Sequence, residues 1–176
     1  MPVRRSDVYQ PWEEQLARSW IKLMNATNVM IYQASDGRVG GSIPSGTPLM
    51  LLTTRRKSNG RLHTVTIVYL DGDEIGVPDR WFVVGSNGGL SRDPGWVVNI
   101  AADPRVAVQI GADHYDTTAA EVDPAVTSPQ NVIDALAKGY RPFGDYQRRA
   151  QAATRTPGDR GRVIKVIEIA KVRPRA

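Results

Sequence analysis

The apolar run Trp81-Phe82-Val83-Val84 leads directly into Gly85-Ser86-Asn87-Gly88-Gly89, and a helix start follows at Asp93-Pro94. Four apolar residues bounded by turn residues predict a short buried strand. Glycines permit the positive-φ turns that other residues resist. A strand, a glycine loop and a helix N-terminus in succession bare backbone N–H groups, which favours a bound anion. The stretch therefore demands a sheet with a helix entering at one end and an anion-accepting loop between them.

From residue 48 onward, apolar or β-branched runs alternate with turn signals, as hairpins require. Pro48–Thr54 and Leu62–Leu70 flank Ser58-Asn59-Gly60, and Asp71–Asp79 is a longer turn. Arg105–Ile110 and His114–Val122 form a second hairpin through Gly111-Ala112-Asp113, and Arg162–Val172 reads as the last strand. Helices are predicted from residue 11 to about 27, over Pro94–Ala102 with Asp93 as its cap, and over Ser128–Lys138. Residues 35–47 form a flexible connector, and Tyr140–Gly161 reads as irregular. Strands joined by hairpins, with helices before and after, indicate an α+β fold built on an antiparallel sheet or barrel.

Trp12, Leu16, Trp20 and Leu23 recur at helical spacing on the first helix, with charges between them. The favoured reading packs this stripe on the domain's own sheet, because the polar face carries as many acids as bases. Contact with a membrane surface is the other. The absence of cysteine excludes disulfides, thiolate catalysis and cysteine-based metal sites, and fits a reducing compartment. The start lacks the apolar core of a secretory signal and no run approaches a membrane span, so a cytoplasmic location is expected.

A net charge of +5 is consistent with an acidic partner. Arg148, Arg149, Arg155, Arg160, Arg162, Arg173 and Arg175 read as a solvated tail. Arg55, Arg56, Lys57, Arg61 and His63 differ, since they crowd one tight turn with no acid among them. That hairpin and the glycine loop together form a candidate pocket for a phosphate-bearing cofactor.

Other chemistries fail on particular residues. Gly41 and Gly46 have P-loop spacing, but Thr47-Pro48 stands where a lysine must reach the phosphates, and no Rossmann glycine pattern exists. His63 and His114 are the only histidines, without carboxylates at ligand spacing, so no metal is expected. His114 reads as solvated, while His63 lies on the basic hairpin. Residues 55–63 contain no aromatic side chain for stacking bases, so no nucleic-acid partner is expected. Trp96 and Asn99, three apart, share a helix face beside the loop.

Leu51-Leu52-Thr53-Thr54-Arg55-Arg56-Lys57-Ser58, followed by Thr64, is similar to the segment L-L-T-T-x-G-R-K-S-G-x-x-R-x-T-P of the deazaflavin-dependent nitroreductase family. Ser86-Asn87-Gly88-Gly89, then Pro94, Trp96, Asn99 and Ile100, resembles that family's S-x-G-G-x-x-x-x-P-x-W-Y-H-N-L. The resemblance covers residues 48–123 well. It implies a split β-barrel, antiparallel like FMN-binding barrels, over residues 48–176, with an N-terminal amphipathic helix and connector over residues 1–47 and further helices at its periphery, all one domain.

It also implies coenzyme F420, a deazaflavin with a phosphodiester and an oligoglutamate tail. The reduced cofactor would pass a hydride to a small-molecule acceptor: a quinone, a nitroaromatic or an activated alkene. By resemblance, Arg56, Lys57 and Ser58 hold the phosphate, and Thr64 and Val65 lie along the deazaflavin. Ser86, Asn87, Gly88 and Gly89 contact ring and tail, and Trp96 and Asn99 complete the pocket. Asp145-Tyr146-Gln147 resembles a substrate-facing tyrosine stretch, which makes Tyr146 and Phe143 candidates for acceptor contact. Ser86 and Tyr146 are the candidate proton donors.

The chain departs from the pattern at Arg55 and Asn59 (glycines in the family), Leu62 (arginine), Val65 (proline) and Val97-Val98 (Tyr-His). Two further readings stay open: FMN in the same barrel, and a non-catalytic protein that stores the deazaflavin.

Overall fold

The computed structural model describes residues 11–152 and 162–175. Six strands, β1 (Leu49–Arg55), β2 (Leu62–Asp71), β3 (Arg80–Val84), β4 (Arg105–Ile110), β5 (Asp113–Glu121) and β6 (Val166–Ala170), close into a barrel in the order β1-β2-β3-β6-β5-β4. Every pairing is antiparallel. The last strand is shorter than the sequence predicts, because residues 162–165 run beside the barrel before pairing begins.

Strand side chains alternate between two faces, and here both faces are covered. Met50, Leu52, Trp81, Val83, Val106, Val108, Ile167 and Ile169 fill the barrel. Leu70, Phe82, Val84 and Val166 point the other way and form a second core with Val132, Ile133, Leu136 and Phe143. This explains the unbroken apolar run at residues 81–84. A strand with a core on each side has no polar face to show.

The second core belongs to α3 (Pro129–Gly139) and α4 (Pro142–Ala152). Ser128 caps α3, accepting from the Asn131 N–H at 3.2 Å. Helix α4 corrects the irregular reading of residues 140–161 over its own span, where Phe143 and Ala150, seven apart, share the buried face; residues 153–161 lie outside the described residues. Helix α2 (Gly95–Ala102) starts after Pro94, and Asp93 makes no capping bond to it. The expected Asp93 cap is thus absent; its carboxylate lies 3.5 Å from Arg162 instead.

Helix α1 spans Pro11–Ser35, about two turns beyond the predicted end. It stops where Asp36 and Gly37 take left-handed conformations, with φ of 48° and 71°. Two polar clamps decide which face docks. Asn25 Nδ2 donates to the Thr64 carbonyl at 3.1 Å, and its Oδ1 accepts from the Thr66 N–H at 2.9 Å. One turn pair later, Tyr32 donates to the Leu49 carbonyl at 3.1 Å and accepts from the Gly111 N–H at 2.9 Å.

Asn25 and Tyr32 are seven residues apart and share the barrel-facing side, which turns the opposite face outward. Leu16, Trp20 and Leu23 are consequently 62%, 64% and 61% exposed. The expectation that this stripe packs on the sheet is therefore corrected; the side chain of Trp12 lies outside the described residues. No helix among the described residues is long and apolar enough to cross a membrane.

Tyr32 is buried, and its hydroxyl ties α1 to both β1 and the β4–β5 turn. Tyr32→Phe should lower stability by about 1–3 kcal/mol, since it leaves two partly buried backbone groups without this partner. A urea titration with an unchanged slope checks this; a midpoint equal to wild type would show that the bridge contributes nothing.

Candidate functional site

The glycine loop grows directly out of β3. The Gly85 N–H donates to the Lys165 carbonyl at 2.8 Å, extending the β3–β6 pairing by one residue. A Cβ at Gly85 would sit 2.8 Å from Val97 Cγ2, so glycine is what lets α2 approach the strand end. Ser86 is right-handed (φ −66°, ψ −36°), and Asn87, Gly88 and Gly89 follow with φ of 48°, 63° and 78°. A right-handed residue followed by a left-handed one turns successive N–H groups toward a common point, the geometry of an anion nest. Asn87 Nδ2 closes the loop by donating to the Arg92 carbonyl at 3.0 Å.

Arg162 holds this loop from behind. Its Nη2 donates to the carbonyls of Gly85 at 2.8 Å and Ser86 at 2.7 Å, and its Nη1 to that of Arg92 at 2.9 Å. The side chain is only 9% exposed. Burial lowers its pKa from the ordinary arginine value, and Asp93 opposes that shift. The solvated-tail reading is corrected at this residue; Arg155 and Arg160 lie outside the described residues. Nothing in the local sequence separates Arg162 from its arginine neighbours, because its burial depends on where β6 joins the barrel.

The basic hairpin sorts into structural and available cations. Arg55 donates to the Gly60 carbonyl at 2.8 Å and lies 3.8 Å from Asp103. Asp103 is gripped by Arg105 through two bonds of 2.9 Å, which hold its carboxyl at about 2. Among the described residues no carboxylate pairs with Arg56, Lys57 or Arg61. Arg56 Nη2 lies 3.0 Å from His63 Nδ1. A guanidinium can only donate, so that nitrogen accepts and the imidazole is neutral with its proton on Nε2. Burial first, and Arg56 second, lower the His63 pKa.

Ser58 is exposed at the hairpin turn. The Thr64 hydroxyl lies 2.8 Å from that of Thr53, and Val65 is half-buried against the barrel core.

Helix α2 ties loop to hairpin. Asn99 Oδ1 accepts from the Lys57 N–H at 3.1 Å, and its Nδ2 donates to Thr54 Oγ1 at 3.0 Å. Expected to line the pocket, this buried amide instead fastens the two halves of the site together. Trp96 is likewise a core group, 5% exposed inside the barrel cluster, and not an open aromatic platform.

Helix α4 seats on the other side of the loop. A Cβ on Gly89 would lie 2.8 Å from Arg149 Cβ and 3.2 Å from the Tyr146 carbonyl. Tyr146 is half-buried, with its hydroxyl 3.2 Å from that of Tyr140. Phe143 is buried, its ring centroid 5.7 Å from that of Tyr146. The structure thus brings Ser86–Gly89, Tyr146, α2 and the hairpin into one contiguous region. Two surface depressions of about 270 and 320 Å³ lie over Ala119 and Ala120; α2 gives Val97, Ile100 and Ala101 to the first, but no hairpin or glycine-loop residue lines either. Their walls carry ion pairs, Lys165–Glu121 and Arg80–Glu168, and no surplus of cations. Among the described residues, the surplus of unpaired cations thus lies at the hairpin and not at either depression.

Known proteins resemble this chain both in sequence and in fold. The chain is 35% identical over 95 residues to the F420H(2)-dependent quinone reductase Rv1261c of Mycobacterium tuberculosis, covering 53% of this chain and 60% of that protein. The chain thus spans about three fifths of the length of the curated relatives it matches. The fold is shared with an F420-H2 dependent reductase, FDR-A, at a TM-score of 0.53 and 24% identity, over 69% of this chain and 93% of that one. It is shared also with a domain-swapped dimer at a TM-score of 0.56 and 23% identity, over 86% of this chain and 98% of that one. Residues 24–155 match the F420H(2)-dependent quinone reductase family, a span that holds the hairpin, the glycine loop, α2 and all of α4, and the chain belongs to that family.

Proposed function

We propose that this chain binds reduced coenzyme F420 across the glycine loop and the basic hairpin and uses it to reduce a quinone. The carrying observation is the pairing of a backbone anion nest at Ser86-Asn87 with Arg56, Lys57 and Arg61, joined through Asn99. An anionic phosphodiester with a polycarboxylate tail fits that donor set, whereas FMN, with one phosphate, uses less of it. When bound, the deazaflavin supplies the hydride.

The protein's own residues bind, orient and protonate. Arg56 and Lys57 neutralise the phosphodiester, Ser58 donates to it, and Thr64 and Val65 support the ring. Ser86 on the loop and Tyr146 on α4 are the proton donors for the reduced acceptor. The Tyr140 hydroxyl fixes that of Tyr146, and Phe143 backs its ring. Nitroaromatics and activated alkenes share the electron-poor π-system of a quinone and complete the acceptor class.

Lys57→Ala should raise the Kd for F420 about tenfold and flatten its salt dependence, as loss of one phosphate-binding cation predicts. Fluorescence titration reads both; unchanged affinity would remove Lys57 from the phosphate site. Competition with FMN belongs in the same experiment, and tight FMN binding without deazaflavin binding would sink the reading. Turnover of the reduced cofactor with menadione, a nitroaromatic and cyclohexenone should be fastest with menadione. Binding without turnover of any acceptor would indicate storage.

His63 gives a pH signature. Its pKa lies below the ordinary 6.5 in the folded protein. Below pH 6.5 the unfolded chain takes up the proton more readily, so stability falls with pH until the folded pKa is passed. Relative to His63→Gln, the wild-type protein should lose stability as the pH falls through 6.5. A gap in urea midpoint that stays constant over this fall would mean that His63 is not held neutral.

A further inference from the structure

We propose that Arg162 is the positioning residue of the cofactor loop: its guanidinium fixes the carbonyls of Gly85, Ser86 and Arg92 on one side, so that the loop's N–H groups are presented to the anionic ligand on the other. The inference rests on reading this loop as the cofactor site, and goes beyond it by assigning the loop's shape to one distant side chain.

In a planar trans peptide, C=O and N–H point in opposite directions. Holding the Gly85 carbonyl at 2.8 Å therefore sets the Ser86 N–H, and holding the Ser86 carbonyl at 2.7 Å sets the Asn87 N–H. These two amides belong to the right-then-left turn that forms the nest. Asn87, Gly88 and Gly89 all have positive φ, and Asn87 is not a glycine. Such backbone persists only where its surroundings over-determine it. The Arg92 carbonyl, held at 2.9 Å, anchors the far end of the same loop.

A lysine could not do this equally well. The planar fork of arginine reaches three carbonyls from two nitrogens, whereas an ammonium offers one compact centre. The bonds are charge-assisted, which compensates the burial of the cation. The same positive charge also lies behind the loop, where it draws carbonyl dipoles away from an incoming anion. Delivery of Arg162 depends on the neighbouring chain. Ile164 and Val166 are buried in the second core, and Lys165 accepts from the Gly85 N–H at 2.8 Å.

The test uses Arg162→Ala and Arg162→Lys in the full chain. Hydrogen exchange of the protein without cofactor should show residues 85–93 exchanging faster in Arg162→Ala, while β1, β2, β4 and β5 stay protected as in wild type. The Kd for F420 should rise about 10- to 100-fold, as expected for losing charge-assisted bonds that order the site, with the acceptor KM at saturating cofactor unchanged. Arg162→Lys should recover part of that affinity. Guanidinium ion at tens of millimolar should restore Arg162→Ala further than methylammonium does, since only the former reproduces the fork.

A purely architectural arginine would instead loosen loop and barrel together, and the folded fraction would bind F420 with wild-type affinity. Either of those results overturns the proposal. If Arg162→Ala does not fold, Arg162→Lys carries the same measurements. Failure of the wild-type protein to bind F420 overturns the functional reading itself; wild-type binding with unchanged affinity in the variants overturns only the role of Arg162.

Discussion

The insertion of β6 between β3 and β5 is the contact on which the rest of this molecule depends. Without it the strands form an open sheet with two edges, and a row of unpaired backbone groups stands at each. With it the barrel closes, Ile167 and Ile169 enter the interior, and Val166 enters the helix-covered core. The same insertion brings the chain just before β6 alongside Gly85. The last strand therefore completes the core and shapes the loop at once, and a long-range pairing sets the geometry of a local motif.

From that loop the coupling passes outward through named contacts. Helix α2 leaves directly after Pro94 and is held close to the strand end by the absence of a side chain at Gly85. Asn99 on α2 then binds both Thr54 and the backbone of Lys57. Because both ends of this amide are buried and satisfied, hairpin and loop cannot drift apart without stranding polar groups. Arg55 adds a second fastening through Gly60 and Asp103. The cations that remain for a ligand, Arg56, Lys57 and Arg61, are exposed, and in water each attracts an anion only weakly. On the proposed reading their value lies in acting together with the N–H groups of the loop on the same anion.

What could be read from the sequence follows from how local its causes are. The strands and both hairpins were legible because alternation and turn chemistry are properties of neighbouring residues. The Gly85–Gly89 loop and the cationic hairpin were legible for the same reason. The direction of the α1 stripe was not. Amphipathic spacing shows that Leu16, Trp20 and Leu23 share a face, but the docking side is chosen by Asn25 and Tyr32 through partners on β1, β2 and Gly111. Helix α4 was missed although Phe143 and Ala150 carried its spacing, since Pro142 and Gly144 weaken the local signal. Arg162 could not be found at all, because one arginine among many acquires its role from a strand pairing.

The departure at Val97-Val98 divides into two parts of unequal consequence. Val97 is buried in the barrel core, and its Cγ2 occupies the space that a Cβ on Gly85 would need. It is thus matched to a glycine more than to a ligand, and a tyrosine there would have to find room in a core that is already full. Val98 is 44% exposed on the outer side of α2. A histidine at that position would add a titratable donor to the surface, and valine removes it. Of these two departures the chemical one therefore falls at position 98, while position 97 records how α2 is packed against the strand from which the loop begins.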